Sequence, residues 1–221
     1  MYDLTLLKER HSVRSFLEKP IDSKTAGLLE EEIAACNAAG GLHIQLVRNE
    51  PRAFDSFLAH YGRFSGVTDY LALIGPKDST LDEKCGYFGE RLVLKAQALG
   101  LNSCWVALTY KKIPGAFRLE KGEKLCLVIA LGYGKTAGTP HRSKKAESVS
   151  NLKASDPDWF RAGTEAALLA PTAMNQQKFY LERKDEQVRA RAGLGPCVKI
   201  DLGIVKYHFE QAAERDSSVW L

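Results

Sequence analysis

Near the start of the chain, Arg10-His11-Ser12-Val13-Arg14 puts two guanidinium groups four positions apart with a hydroxyl between them. Arginine keeps its charge at any physiological pH, and its planar fork matches paired oxygen acceptors. On a helical turn, positions 10 and 14 share a face about 6 Å apart at Cβ. In an extended segment, 10, 12 and 14 share a side instead. Either geometry aims the set at an anion: a phosphate, or a ring carrying several acceptor oxygens. In isolation the plainer reading is a solvated basic turn, and the rest of the chain must argue against it.

Three further stretches carry chemistry-bearing residues. Gly100-Leu101-Asn102-Ser103-Cys104-Trp105-Val106-Ala107-Leu108 reads as a turn feeding a buried segment. Ala170-Pro171-Thr172-Ala173-Met174-Asn175-Gln176-Gln177 separates a helix from a strand, and Pro140-His141-Arg142-Ser143-Lys144-Lys145 is a basic loop. That loop is either a solvated surface or a second phosphate grip. Cys36, Cys85, Cys104, Cys126 and Cys197 contain no C-x-x-C pair, so they read as reduced, buried thiols. The five histidines are as dispersed as the cysteines, and no metal site is expected. No nucleophile–base pair stands out. Without G-x-G-x-x-G there is no sign of a Rossmann dinucleotide site.

The elements that must position these residues follow from pattern. Composition is that of a soluble globular protein, with 45% apolar and 26% charged residues in 221. A net charge of +4 suits an anionic ligand but is too weak and scattered for nucleic acid. No stretch approaches the roughly 20 apolar residues of a membrane span. Early charges argue against a signal peptide, which points to the cytoplasm. A short helix is expected within residues 3–16. A second, capped by Asp22 or Ser23, should run from Thr25 to about Ala39 and stop at Gly40-Gly41. Strands are expected at 42–47, 69–75, 125–134 and 178–182, and helices at 52–60, 81–99, 159–169 and 201–215. Asp156-Pro157-Asp158 signals the start of the helix at 159.

A constant offset of 135 residues aligns 29–48 with 164–183 without gaps, and each stretch is followed later by a long helix. Genuine repetition would put two copies of a half-fold, about 1–150 and 151–221, into a single domain spanning 1–221. Such a duplication imitates a symmetric dimer. Pro171, Thr172 and Asn175 of the second copy face Cys36, Asn37 and Gly40 in the first, so one ligand site per chain is expected.

Taken in order, Arg-x-Ser-x-Arg, the Trp105 segment, Ala-Leu-Gly-Tyr-Gly followed by Arg-Ser-Lys, and the Pro171–Asn175 segment resemble the nitroreductase family of FMN enzymes. The likeness spans nearly the whole chain and is greatest to single-chain members that fuse two halves into a pseudo-dimer. It implies an α+β fold, a nitroreductase-like three-layer α/β/α sandwich built on a mixed sheet, with two quasi-repeated halves in one chain and FMN at their junction. The resemblance assigns Arg10 and Ser12 to the flavin phosphate side and Arg14 to the N1–O2 edge, with His11 in contact through its ring or backbone. Trp105, Val106, Ala107 and Leu108 match the segment whose amides lie near N5; an acidic residue often found there is absent. Pro171, Thr172, Ala173 and Asn175 match Pro-Ser-Ser-x-Asn, with Thr172 keeping a hydroxyl that Ala173 loses. Arg142 and Lys144 would complete the phosphate site. Tyr61, Arg63 and Phe64, with Tyr110, Lys111 and Lys112, are candidates for the wall over the flavin.

The implied activity is FMN-dependent transfer of electrons from NAD(P)H to a nitroaromatic, quinone or similar acceptor. The flavin carries the chemistry, and no side chain acts as a catalytic residue. The expected partners are small molecules, with no nucleic acid and no membrane, and the expected assembly is a monomer acting as a pseudo-dimer. The main alternative is an FMN reservoir or redox sensor without turnover. A basic module binding nucleic acid through Arg10, Arg14, Arg142 and Lys144 is a second; it predicts a colourless protein.

Overall fold

The structure is a computed structural model that describes residues 4–221. Residue 3, the first position of the expected opening helix, lies outside the described residues. The chain forms two compact units, interleaved along the sequence. One holds residues 10–81 and 91–139 and is called the sheet unit here. The other, the helical unit, holds residues up to 9 together with 82–90 and 140–221.

In the sheet unit, α2 (Ser23–Gly40) begins where Asp22 accepts a hydrogen bond from the Thr25 N–H at 3.0 Å. That bond and the Thr25 hydroxyl hold the Asp22 carboxyl down at about 2. Four strands follow in the chain: β1 (Gln45–Val47), β2 (Asp69–Pro76), β3 (Asn102–Val106) and β4 (Glu123–Gly132). They lie side by side in the order β1-β2-β4-β3, and every pairing is antiparallel. The expected mixed sheet is therefore an antiparallel one, and parallel pairing enters only as single bridges, Ser12 to Ser103 and Ser15 to Ser65. Tyr70, Ala72, Val128, Ala130, Cys104 and Val106 join Phe54, Phe64 and Phe16 in one core cluster. Their neighbours Leu71, Leu73, Ile129 and Leu131 are fully buried as well. Burial on both sides is why 69–76 and 125–132 read as continuous apolar runs rather than alternating ones. The helix expected at 52–60 is instead a 3₁₀ turn at Pro51–Ala53 and a short α3 (Phe57–Tyr61).

In the helical unit, α1 (Leu4–Glu9) is short, and α5 (Asp158–Ala167) packs along α6 (Val198–Ala213). Phe160 and Trp159 meet Phe209 at 6.1 and 6.2 Å between ring centroids. α5 starts one residue earlier than expected, and its cap position is Pro157, which has no side-chain cap bond. Asp156 instead accepts from the Lys153 N–H and pairs with Arg183. A hairpin joins β5 (Phe179–Lys184) to β6 (Gln187–Ala192).

A long helix, α4 (Leu81–Ala98), contributes its first half to the helical unit and its second to the sheet unit. Within the helical unit it crosses α6 through two glycines. A Cβ on Gly86 would stand 2.0 Å from the Ile200 carbonyl oxygen, and one on Gly203 would stand 2.0 Å from that of Glu83. Backbone cannot give way at such distances, so both positions require glycine. Beside this crossing, Glu90 and His208 are fully buried, with His208 Nε2 2.8 Å from Glu90 Oε1.

Candidate functional site

The Arg10–Arg14 segment is extended, not helical. α1 ends at Glu9, and from Ser12 onward the chain is held on both sides by main-chain hydrogen bonds. Val13 N–H donates to the Ser103 carbonyl and Phe16 N–H to that of Ser65, both at 2.9 Å. Ser65 N–H returns a bond to Arg14, and Leu17 N–H bonds to Tyr133. Val13 and Phe16 anchor the segment in the core, at 2% and 0% exposure. The two arginines separate in environment: Arg10 is buried, whereas Arg14 is exposed. Arg14, Ser12 and Arg10 all act on the Cys104 thiol, each favouring its ionised form. Burial outweighs them and pushes that thiol's pKa up, so Cys104 stays protonated.

Arg14 opens onto a pocket of about 400 Å³. Its other walls are Tyr61, Gly62, Arg63 and Phe64 from the loop after α3, and Trp105, Val106, Ala107 and Thr109 from the end of β3. Two stretches far apart in the chain thus meet because β3 lies beside residues 12–13. Chain direction turns at Ala107, and Ala107 and Leu108 are exposed. Close approach requires Gly62: a Cβ there would lie 2.7 Å from both Cβ and Oγ1 of Thr109. Arg63 has φ of 62°, in the left-handed region that side chains other than glycine enter at a cost. Neither the Arg14 nor the Arg63 guanidinium makes a hydrogen bond or ion pair with another described residue. A volume of this size lies within the range of small-molecule sites.

Of the other wall candidates, Tyr110 belongs to the core. It stacks on Phe54, and burial pushes its phenol up to about 12. Lys111 and Lys112 are exposed and do not line the pocket. A second cavity of about 420 Å³, lined by residues that include Glu18, Phe54, Asp55 and Phe64, was not foreseen from sequence. Its lining comes from three separate segments, at residue 18, 51–55 and 64–68.

The remaining candidates form a network inside the helical unit. Gln177, 3% exposed, accepts from the Lys144 N–H at 2.8 Å and donates to the Arg142 carbonyl at 2.9 Å. Asn175 donates to the same carbonyl at 2.9 Å. The Lys144 ammonium donates to the carbonyls of Gln176 and Gln177, both at 2.9 Å, and so fastens the basic loop to the turn. His141 Nε2 and the Ser143 hydroxyl both meet the Leu168 carbonyl at 3.0 Å. The Arg142 guanidinium is exposed and makes no such bond among the described residues. Thr172 accepts from the Gln177 N–H, while Pro171 precedes the turn and Ala173 gives its N–H to Asp201 at 2.9 Å. Met174, Asn175 and Gln177 have φ of 52°, 54° and 45°, an unusual concentration of left-handed backbone. Asp201 and Gln177, which hold this turn, were not singled out from sequence. Nothing in a helix-spaced Asp or a lone Gln marks them.

A family model described as "Putative TM nitroreductase" matches residues 4–213. The chain belongs to this nitroreductase family. Among solved structures, a "putative nitroreductase" of Thermotoga maritima superposes with a TM-score of 0.67 at 21% identity, covering 98% of this chain and 87% of its own. A protein of the same description from Desulfovibrio desulfuricans, solved in complex with FMN, gives 0.55 at 17% identity over 71% of this chain and 100% of that one. A nitroreductase family protein of Clostridium difficile gives 0.52 at 17%, covering 69% and 99%. At identities this low the superpositions show the shared α+β fold alone. No curated protein sequence matches significantly. No helix among the described residues is long and apolar enough to cross a membrane.

Proposed function

We propose that this protein is an FMN-dependent oxidoreductase that passes electrons from NAD(P)H to a nitroaromatic, a quinone or a similar small acceptor. One observation carries the reading: Arg14 and the Trp105–Ala107 segment line the same pocket. Family membership supports it, as does the FMN held by the Desulfovibrio desulfuricans neighbour. The residues fit such a group. An exposed guanidinium without a described partner faces a cavity walled by aromatic rings and by backbone leaving a strand end.

FMN, when bound, supplies the redox chemistry by accepting hydride equivalents from the nicotinamide and yielding them to the acceptor. The chain's own part is electrostatic and steric. Arg14 cannot lose its proton, and it stabilises negative charge on the ligand edge it meets. Trp105, Val106 and Phe64 contribute apolar surface to the lining, and the exposed Tyr61 ring stands at the same pocket. Arg10, His11 and Ser12 precede Arg14 on the same segment and would hold the phosphate of such a group. Cys104, protonated and buried, takes no covalent role.

The single-chain reading draws support from the offset of 135 residues. It carries the first residue of α2, Ser23, onto the first residue of α5, Asp158, and β1 onto positions 180–182 within β5. Each copy then continues to an antiparallel partner strand and a long helix, β2 and α4 or β6 and α6. We take the protein as a monomer acting as a pseudo-dimer with one FMN per chain.

The experiment is anaerobic mixing of the purified, FMN-saturated protein with NADH and with NADPH. Bleaching by either, followed by recovery of colour on adding menadione or a nitroaromatic, is expected. Bound flavin untouched by both nucleotides would leave a storage or sensing protein. Failure to take up FMN at all would overturn the flavoprotein reading.

A further inference from the structure

We propose that the pocket beside Arg14 selects planar aromatic acceptors that carry a negative charge, and that Arg63 sets this choice. The inference rests on the function proposed above and names the class of acceptor at that site. The lining combines three aromatic side chains, Tyr61, Phe64 and Trp105, with two cations, Arg14 and Arg63, and contains no carboxylate. Flat apolar walls favour an aromatic ring by stacking and burial. With Arg14 committed to the flavin, the Arg63 guanidinium is the lining cation left to favour an anion on that ring. The adjoining cavity has the opposite character. Glu18 and Asp55 line it, no cation does, and Phe64 is common to both. The positive lining is thus a local feature and not an echo of the chain's modest net charge of +4.

The two arginines have different tasks. Arg14 lies on the extended segment that runs beside β3 and meets the flavin in the proposed function. Arg63 lies on the loop between α3 and β2, where its side chain has no hydrogen-bonding or ionic partner among the described residues. Its left-handed backbone is locked from both sides. Phe64 N–H donates to the Ala59 carbonyl at 3.0 Å, and Gly62 closes on Thr109. A strained residue held in place at a pocket, with its charge unspent, is positioned for a ligand.

Binding of para-nitrobenzoate and para-nitrobenzyl alcohol, which share a ring and differ in charge, tests the proposal. Calorimetric titration of the FMN-saturated protein should show tighter binding of the benzoate. Arg63→Ala should lower that preference about fivefold, the upper end for a partly exposed ion pair. Arg63→Lys should retain most of it, which separates lost charge from a damaged loop. Arg63→Glu should reverse it in favour of the para-nitrobenzylammonium cation. The preference should fade as salt is raised. Equal affinity for acid and alcohol in wild type, or a ratio that Arg63→Ala and Arg63→Glu leave unmoved, overturns the inference. Calorimetry reads this ratio without turnover, so a protein that retains FMN but is never bleached by NAD(P)H refutes only the oxidoreductase reading.

Discussion

Replacing Asp201 with alanine should loosen the turn that carries Thr172 and Asn175, and the size of the effect follows from what Asp201 holds. The residue sits in the first turn of α6 at 3% exposure. One carboxylate oxygen accepts the Ala173 N–H at 2.9 Å and the other accepts Gln176 Nε2 at 2.7 Å. Hydrogen bonds to a charged group contribute about 1.5–3 kcal/mol each. Burial offsets part of that gain, because it raises the Asp201 pKa above its ordinary 3.8 despite both donors. Alanine would leave the Ala173 N–H without its acceptor, while Gln176 would keep its bond to the Pro196 carbonyl at 2.8 Å. A loss of about 2–3 kcal/mol results, or roughly 4–12 °C in Tm for a chain of this size. The left-handed residues Met174, Asn175 and Gln177 would lose a restraint, so their amide exchange should quicken.

The dependence on pH has a definite sign. A carboxyl whose folded pKa is raised contributes its stability fully below the unfolded pKa and loses it as pH rises through the folded value. The cost of Asp201→Ala should therefore be larger near about pH 4 than near about pH 7. Urea denaturation at the two pH values measures it. A cost under about 0.5 kcal/mol at neutral pH, or one that grows with pH, would refute the reasoning. Growth with pH would mean that the two donors outweigh burial.

Four other substitutions test separate parts of the structure. Arg14→Ala should weaken FMN about ten- to hundredfold, the equivalent of one charged hydrogen bond, and lower the flavin's reduction potential. Fluorescence titration and a potentiometric scan would show both, and an unchanged affinity would remove Arg14 from the site. Gly62→Ala should displace the 61–64 loop from Thr109, costing about 1–3 kcal/mol and raising KM for the acceptor. Gly27→Ala, in α2 with nothing within 4 Å of the new Cβ, should instead add up to about 1 kcal/mol. Similar stability changes for the two alanines would contradict the packing described. His208→Ala removes one partner of a fully buried pair and should cost about 3–5 kcal/mol in denaturant unfolding. A loss below about 1 kcal/mol would show that Glu90 is satisfied without it.

Much of the fold is legible from periodicity and punctuation. Asp22 caps α2 as its position suggests, and the apolar runs at 69–75 and 125–134 become β2 and β4. β6 carries little sequence signal, because Gln187-Val188-Arg189-Ala190-Arg191-Ala192 alternates long polar side chains with small ones. Its pairing with β5 supplies what local propensity does not. The sheet's antiparallel order is also beyond local pattern. Strands buried on both faces carry the same run of Val, Leu and Ile in either direction.

The site was harder to read because its geometry depends on which strands the opening segment joins. From spacing alone, Arg10 and Arg14 read as a pair aimed at one anion. Residues 12–17 instead bond to Ser103, Ser65 and Tyr133, three points that come from different parts of the sheet unit. Val13 and Phe16, committed to the core, bracket Arg14, while Arg10 precedes both and is itself buried. Arg10 goes inward and Arg14 stays at the pocket mouth. The spacing of the charges thus does not fix the environment of each arginine, which depends on how the neighbouring apolar residues are anchored. By the same logic Val13→Ala, which empties a core position at 2% exposure, should disturb Arg14 and weaken FMN more than Ser15→Ala does, and fluorescence titration of the two variants with FMN measures the difference.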